Sequence, residues 1–204
     1  MSGPKPRRRG GRPVRRLAAE RRATATRHHP RGASGRARRA DDLLERAARV
    51  RLVLLDVDGV LTDGRIWYGP DGEALKAFDV RDGHGVVRLR DHVDFGVISG
   101  RPGTAARRRL EELRFKHLVF GQIDKLVGYA TLGHLGVADH EVAYMGDDVN
   151  DLPLLRRVGL GACPADASPE VLREARFVSR FEGGRGAVRE LCELILRAKG
   201  LAGP

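Results

Sequence analysis

Cysteine is scarce in this chain: Cys163 and Cys192 are the only two in 204 residues, far apart and without metal-ligand spacing. That excludes a disulfide scaffold and a cysteine-ligated metal. It predicts two small core residues in a reducing compartment, with the cytoplasm as the expected location. No run of about 18 apolar residues occurs, which excludes a membrane-spanning helix. The basic N-terminal stretch also has no apolar segment of the kind a secretory leader carries. Aromatic residues are few, and none falls among residues 1–40. Acidic residues are nearly missing there too. That stretch holds 14 Lys/Arg against Glu20 alone, whereas the remaining 164 residues hold 24 basic and 26 acidic groups. The net charge of +11 therefore belongs to an extension and not to the globular part. Residues 1–40 lack the apolar periodicity needed to offset ordering entropy and are predicted to be disordered. Runs such as Arg7-Arg8-Arg9 attract nucleic acid only non-specifically, since no aromatic side chain is interleaved for base stacking.

Residues 41–204 suit one domain of ordinary size. A short helix over 41–48 leads into an apolar run, Leu52 to Leu55, that ends in Asp56, Asp58 and Gly59. Such a run reads as a strand buried on both faces of a parallel sheet. Two short strands, 64–68 and 73–78, flank the turn Gly69-Pro70-Asp71-Gly72 and predict a β-hairpin. Strands then alternate with helices: 95–98, 117–120, 142–145, 159–163 and 177–178 against 79–91, 104–113, 125–135, a helix ending at Arg157, 169–175 and 187–199. This alternation predicts an α/β fold with a mainly parallel sheet and right-handed crossovers.

Polar clusters fall at successive predicted strand ends: Asp56/Asp58, Ser99-Gly100-Arg101, Lys125 and Asp147/Asp148/Asp151. In a parallel sheet all of these ends share one edge, where ligands bind. Phosphate-monoester hydrolysis gives each a task. A Mg²⁺ ion takes hard oxygen ligands, which Asp56, Asp147 and the backbone carbonyl of Asp58 can supply. Asp56 can attack phosphorus to form an aspartyl-phosphate. Asp58 can protonate the leaving alkoxide and then activate water. Lys125, the Ser99 hydroxyl and the Gly100 amide can hold the equatorial oxygens.

Asp56-Val-Asp-Gly-Val-Leu-Thr-Asp63, Ile98-Ser-Gly-Arg101, Lys125 and Gly146-Asp-Asp-Val-Asn-Asp151 resemble the four motifs of the haloacid dehalogenase superfamily of phosphatases. More narrowly, the stretches from Glu73 to Gly85 and from Gly183 to Cys192 are similar to those of 3-deoxy-D-manno-octulosonate 8-phosphate phosphatases, a capless branch serving lipopolysaccharide synthesis. The resemblance implies a Rossmann-like three-layer sandwich with the hairpin in place of a cap domain. It also implies Mg²⁺ as cofactor and a homotetramer in which a neighbouring subunit completes the active site. Substrate contacts are implied at Asp58, Asp79, Val80, Arg81, Asp82, Gly83, Ser99, Gly100, Arg101, Arg109, Lys125 and Asp148. The branch commonly has Asn where this chain has Asp79, so the extra carboxylate is expected to meet Arg81 or the water of the metal.

Other readings compete. One is the same chemistry on another phosphosugar, such as an acylneuraminate 9-phosphate. A second is a nucleic-acid-associated protein that uses the basic extension as an arm. A third, a non-catalytic scaffold, is opposed by the intact Asp56, Asp58, Lys125 and Asp147.

Overall fold

All four residues of β1 (Leu52–Leu55) are buried, so the strand has no polar face and must be covered on both sides. The computed structural model, which describes residues 31–203, shows how that is done. The chain runs α1 (Arg31–Arg49), β1, β2 (Trp67–Gly69), β3 (Gly72–Leu75), α2 (Val80–Leu89), β4 (Asp94–Ile98), α3 (Thr104–Glu112), β5 (His117–Val119) and α4 (Lys125–Ala130). It continues with β6 (Val142–Met145), α5 (Leu152–Arg157), β7 (Leu160–Cys163), α6 (Pro169–Glu174), β8 (Phe177–Val178) and α7 (Ala187–Ala198).

The main sheet has the order β5-β4-β1-β6-β7-β8, and every pairing in it is parallel. From β1 the chain moves outward to β4 and β5, then returns to the other side for β6, β7 and β8. β1 is thus the point where the winding reverses, and a crevice opens beyond its carboxyl end. Alternate residues of β1 feed two cores. Val53 and Leu55 pack with Val86, Leu110, Leu191 and Ile195 from α2, α3 and α7. Leu52 and Leu54 pack with Tyr129, Leu154 and Val171 from α4, α5 and α6. The result is the three-layer α/β sandwich expected. Truncating fully buried Leu54 to alanine in such a core costs about 2–5 kcal/mol. Cys163 and Cys192 are free thiols, one in each core.

Some boundaries differ from the sequence reading. The first helix begins at Arg31, ten residues ahead of the expected start at residue 41. Alanine and arginine are strong helix formers, and the last turns of α1 are anchored by Leu43, Ala47 and Val50 in the core. Residues 1–30 lie outside the described residues. The hairpin forms its own antiparallel pair but is shorter than expected. Pairing stops at Leu75 because the next residue, Lys76, turns inward. Trp67, Tyr68 and Leu75 are exposed at 62%, 68% and 65%. No helix among the described residues is long and apolar enough to cross a membrane.

Candidate active site

Register brings the acids together. Leu55 pairs with Val97 on one side and Met145 on the other, so the residues following β1, β4 and β6 emerge level with one another. Asp56, Asp58, Gly64, Ser99, Gly100, Arg101, Asp147, Asp148 and Asn150 line an open cavity of about 280 Å³. Lys125, the first residue of α4, lies beneath it and is only 1% exposed. Its ammonium donates to the Ile98 carbonyl at 2.8 Å and to Asp56 Oδ2 at 2.9 Å, and lies 3.3 Å from Asp151 Oδ1. The Val57 amide holds the other Asp56 oxygen at 2.7 Å. The Asp56 carboxylate is therefore fixed at both oxygens while one edge faces the cavity.

Asp151, fully buried, organises what lies behind the cavity. Its Oδ2 accepts the backbone amides of Asp147 and Asp148 at 2.9 and 3.1 Å, and its Oδ1 accepts the Tyr144 hydroxyl at 2.5 Å. Burial, then the charges of Asp151 and Asp56, push the Tyr144 phenol well above its usual range, so it remains a donor. Asp56, Asp147 and Asp151 present oxygens within 4.8 Å of one another. The oxygens of Asp151 are already committed, which leaves Asp56 and Asp147 to face a cation. Burial, then Asp151 and Asp56, raise Asp147 to about 8. Burial raises Asp56 to about 6 against the lowering pull of Lys125. The Asp58 carbonyl accepts no backbone hydrogen bond among the described residues. Three clustered carboxylates share the single ammonium of Lys125, and Asp56 and Asp147, beside the unused Asp58 carbonyl, form a hard-oxygen donor set that fits Mg²⁺.

The loop after β1 is held close to these groups. Gly59, at φ +84°, lies against the Asp147 carboxylate, where any side chain would collide. Gly183 packs against the Gly59 carbonyl, and the Gly184 amide donates to the Val60 carbonyl at 2.9 Å. The glycine-rich segment before α7 thus buttresses the loop that carries Asp58. On the cavity side, Asp58 Oδ1 meets Lys76 Nζ at 2.5 Å and Oδ2 meets Arg101 Nε at 3.4 Å. Arg101 also reaches the Tyr68 hydroxyl of the hairpin at 3.4 Å.

Asp56, Asp58, Ser99, Gly100, Arg101, Lys125, Asp147 and Asp148 therefore come together as the sequence predicts. The segment from Asp79 to Gly83 does not reach the cavity, and neither does Arg109. Asp79 caps α2 and pairs with Arg81 at 2.6 Å, the partner expected for its extra charge. The hydrogen bond from Arg81 holds its carboxyl below the usual range. Val80 is exposed on the surface. Asp82 needs correction as a substrate contact: it is 1% exposed, and its oxygens accept the amides of Gly186 at 3.1 Å and Arg189 at 2.7 Å, tying α2 to α7. Gly83 is likewise buried, beneath the Arg109 guanidinium. Arg109 pairs with Glu112 at 3.0 Å. Lys76 and Tyr144 were not singled out by sequence. Lys76 sits in an alternating hairpin segment and Tyr144 in an apolar strand, and nothing local marks either as polar machinery. The spacing of Asp147, Asp148 and Asp151 did mark Asp151.

Residues 114–191 match the haloacid dehalogenase-like hydrolase family. The 3-deoxy-D-manno-octulosonate 8-phosphate phosphatase of Yersinia pestis is 48% identical over 162 residues, covering 78% of this chain and 87% of that protein. Its counterpart in Escherichia coli is 45% identical over 161 residues, covering 78% and 86%. The crystal structure of the Yersinia pestis enzyme superposes with a TM-score of 0.76 at 47% identity, covering 79% of this chain and 88% of that one. The Moraxella catarrhalis phosphatase, solved with magnesium, phosphate and 3-deoxy-D-manno-octulosonate, superposes with a TM-score of 0.76 at 36% identity, covering 78% and 93%. With its motifs converging at one sheet edge, this chain belongs to the 3-deoxy-D-manno-octulosonate 8-phosphate phosphatase family of haloacid dehalogenase-like hydrolases.

Proposed function

We propose that this protein is a Mg²⁺-dependent phosphatase that releases phosphate from 3-deoxy-D-manno-octulosonate 8-phosphate. The observation that carries this reading is the convergence of Asp56, Ser99, Lys125 and Asp147 from separate strand ends on one cavity. The names of relatives at 45–48% identity support the substrate. Asp56 attacks phosphorus as the bond to the sugar oxygen breaks, and that oxygen leaves with the bonding pair and takes a proton from Asp58. Asp58 then accepts a proton from the water that attacks the aspartyl-phosphate, and Asp56 is restored as phosphate departs. Lys125, the Ser99 hydroxyl and the Gly100 amide hold the equatorial oxygens, while Asp151 and Tyr144 keep Lys125 and the Asp147 backbone in place. Held by Asp56, Asp147 and the Asp58 carbonyl, Mg²⁺ would supply the charge neutralisation that lets an anionic nucleophile approach a dianion.

Arg101 at the rim, with Asp148, suits recognition of the sugar acid, because a guanidinium pairs bidentately with a carboxylate. The remaining expected contacts, Asp79, Val80, Arg81 and Arg109, are assigned to the site of an adjoining subunit. An isolated two-stranded hairpin with exposed Trp67 and Leu75 is marginal unless packed. We therefore assign these hairpins to the core of a homotetramer. Trp67→Ser with Leu75→Ser is expected to lower the molar mass measured by light scattering; a wild-type monomer, or a double variant of unchanged mass, would contradict this assembly. Free, buried thiols suit a cytoplasmic setting.

A panel of phosphosugars tests the substrate. The octulosonate ester should give the highest kcat/KM. Low turnover on it beside strong turnover of an acylneuraminate 9-phosphate would reject the assignment.

A further inference from the structure

Lys76 follows β3 directly, yet its side chain is only 1% exposed. A buried ammonium is strongly unfavourable unless carboxylates meet it. Two do: Asp58 Oδ1 at 2.5 Å and Glu73 Oε2 at 3.4 Å. The Glu73 side chain is itself 14% exposed, and its other oxygen, Oε1, is buried without a partner. Among the described residues, Lys76 is therefore the one side chain that Glu73 pairs with. With Oδ1 clamped, Asp58 is confined to one orientation, and its other oxygen, Oδ2, faces Arg101 on the cavity side. The opposite strand of the hairpin makes a second link to the same pair of groups, through Tyr68 and Arg101.

Resting on the phosphatase reading above, we infer that Lys76 is a positioning residue: carried by the hairpin, it fixes the carboxyl group of Asp58 that passes the proton to the leaving oxygen. The hairpin is then part of the proton-transfer machinery as well as a surface beside it. Glu73 holds Lys76, Lys76 holds Asp58, and Asp58 meets the substrate. A lysine bound to the transferring phosphoryl group would act differently, since it would assist every ester regardless of what leaves.

That difference gives the test. A sugar phosphate expels a strongly basic alkoxide and needs the proton from Asp58. p-Nitrophenyl phosphate expels a weakly basic phenolate and does not. The ratio of kcat/KM on the two esters, which reports the first phosphoryl transfer, isolates the acid. In Lys76→Met the sugar ester should lose about 10- to 100-fold, short of the full 10²–10⁴ contribution of general acid catalysis because Asp58 is mispositioned and not removed. The aryl ester should change by less than about threefold, as expected when no transition-state contact to phosphate is lost. In an Asp58→Asn background, Lys76→Met should cause no further loss on the sugar ester. Lys76→Arg, which keeps the charge, should restore most of the ratio. Equal losses on both esters, an additive loss on top of Asp58→Asn, or no loss at all would each overturn the inference. Should Lys76→Met not fold, Lys76→Gln is read by the same ratio and the same criteria. If the wild-type protein cleaves neither ester, the phosphatase reading fails, which is distinguishable from a failure of Lys76 alone.

Discussion

Replacing Lys125 by methionine probes the centre of the site with little change of volume. The ammonium of Lys125 is the cation that bridges Asp56 and Asp151, two carboxylates of which one is fully buried and the other nearly so. Removing one partner of a buried ion pair costs about 3–5 kcal/mol, because the remaining charge is left uncompensated. For a domain of this size each kcal/mol moves the melting temperature by about 2–4 °C, so metal-free Lys125→Met should melt roughly 10 °C lower near neutral pH. A divalent cation between Asp56 and Asp147 supplies part of the missing charge. Mg²⁺ should therefore stabilise the variant more than the wild type in thermal unfolding. Phosphatase activity should fall at least about 10²-fold, as for loss of one fixed charge-stabilising donor. Wild-type melting without metal, or equal Mg²⁺ stabilisation of the two proteins, would refute the electrostatic role given to Lys125.

Further outcomes follow from the same groups. The folded-state values of Asp147, about 8, and Asp56, about 6, lie above the ordinary carboxylate value of 3.8, so the native metal-free protein binds more protons than the unfolded chain across that interval. Its stability should accordingly fall as pH rises from about 4 through about 8, and since metal ligands must be deprotonated, the gain from saturating Mg²⁺ should be larger at pH 8 than at pH 6. Calorimetry at both pH values checks this, and an equal or reversed gain would contradict it. Tyr144→Phe removes one donor from Asp151, and such hydrogen bonds to charged groups are worth about 1.5–3 kcal/mol. It should lower kcat more than it alters KM, and a change confined to KM would count against the positioning role.

The fold was legible where local chemistry and tertiary context agree. The run Leu52 to Leu55 reads as a strand buried on both faces, and the motif acids stand at strand ends because turn residues follow each run. Parallel register then converts distance along the chain into proximity, which is why sequence alone pairs Asp56 with Asp147. What stayed hidden depends on partners far away in sequence. Asp82 lies within a family segment tied to substrate, but its oxygens cap α7 through amides more than 100 residues onward. Lys76 looks like a solvated strand residue until the hairpin folds over Asp58. Tyr144 is one apolar-looking position among four in β6, and its hydroxyl acquires meaning only beside Asp151. The start of α1 is hidden because a high arginine content reads as an uncollapsed tail, whereas the helix anchored by Ala47 and Val50 begins at Arg31.

In the proposed reaction Asp56, in a Mg²⁺-loaded site, accepts the phosphoryl group from an acidic eight-carbon sugar phosphate. Phosphate release from 3-deoxy-D-manno-octulosonate 8-phosphate, followed with and without Mg²⁺ for the wild type and Asp56→Asn, tests it most directly. Release is expected only from the wild type and only with the metal. Release by Asp56→Asn at the wild-type rate, or equal release without Mg²⁺, would contradict it.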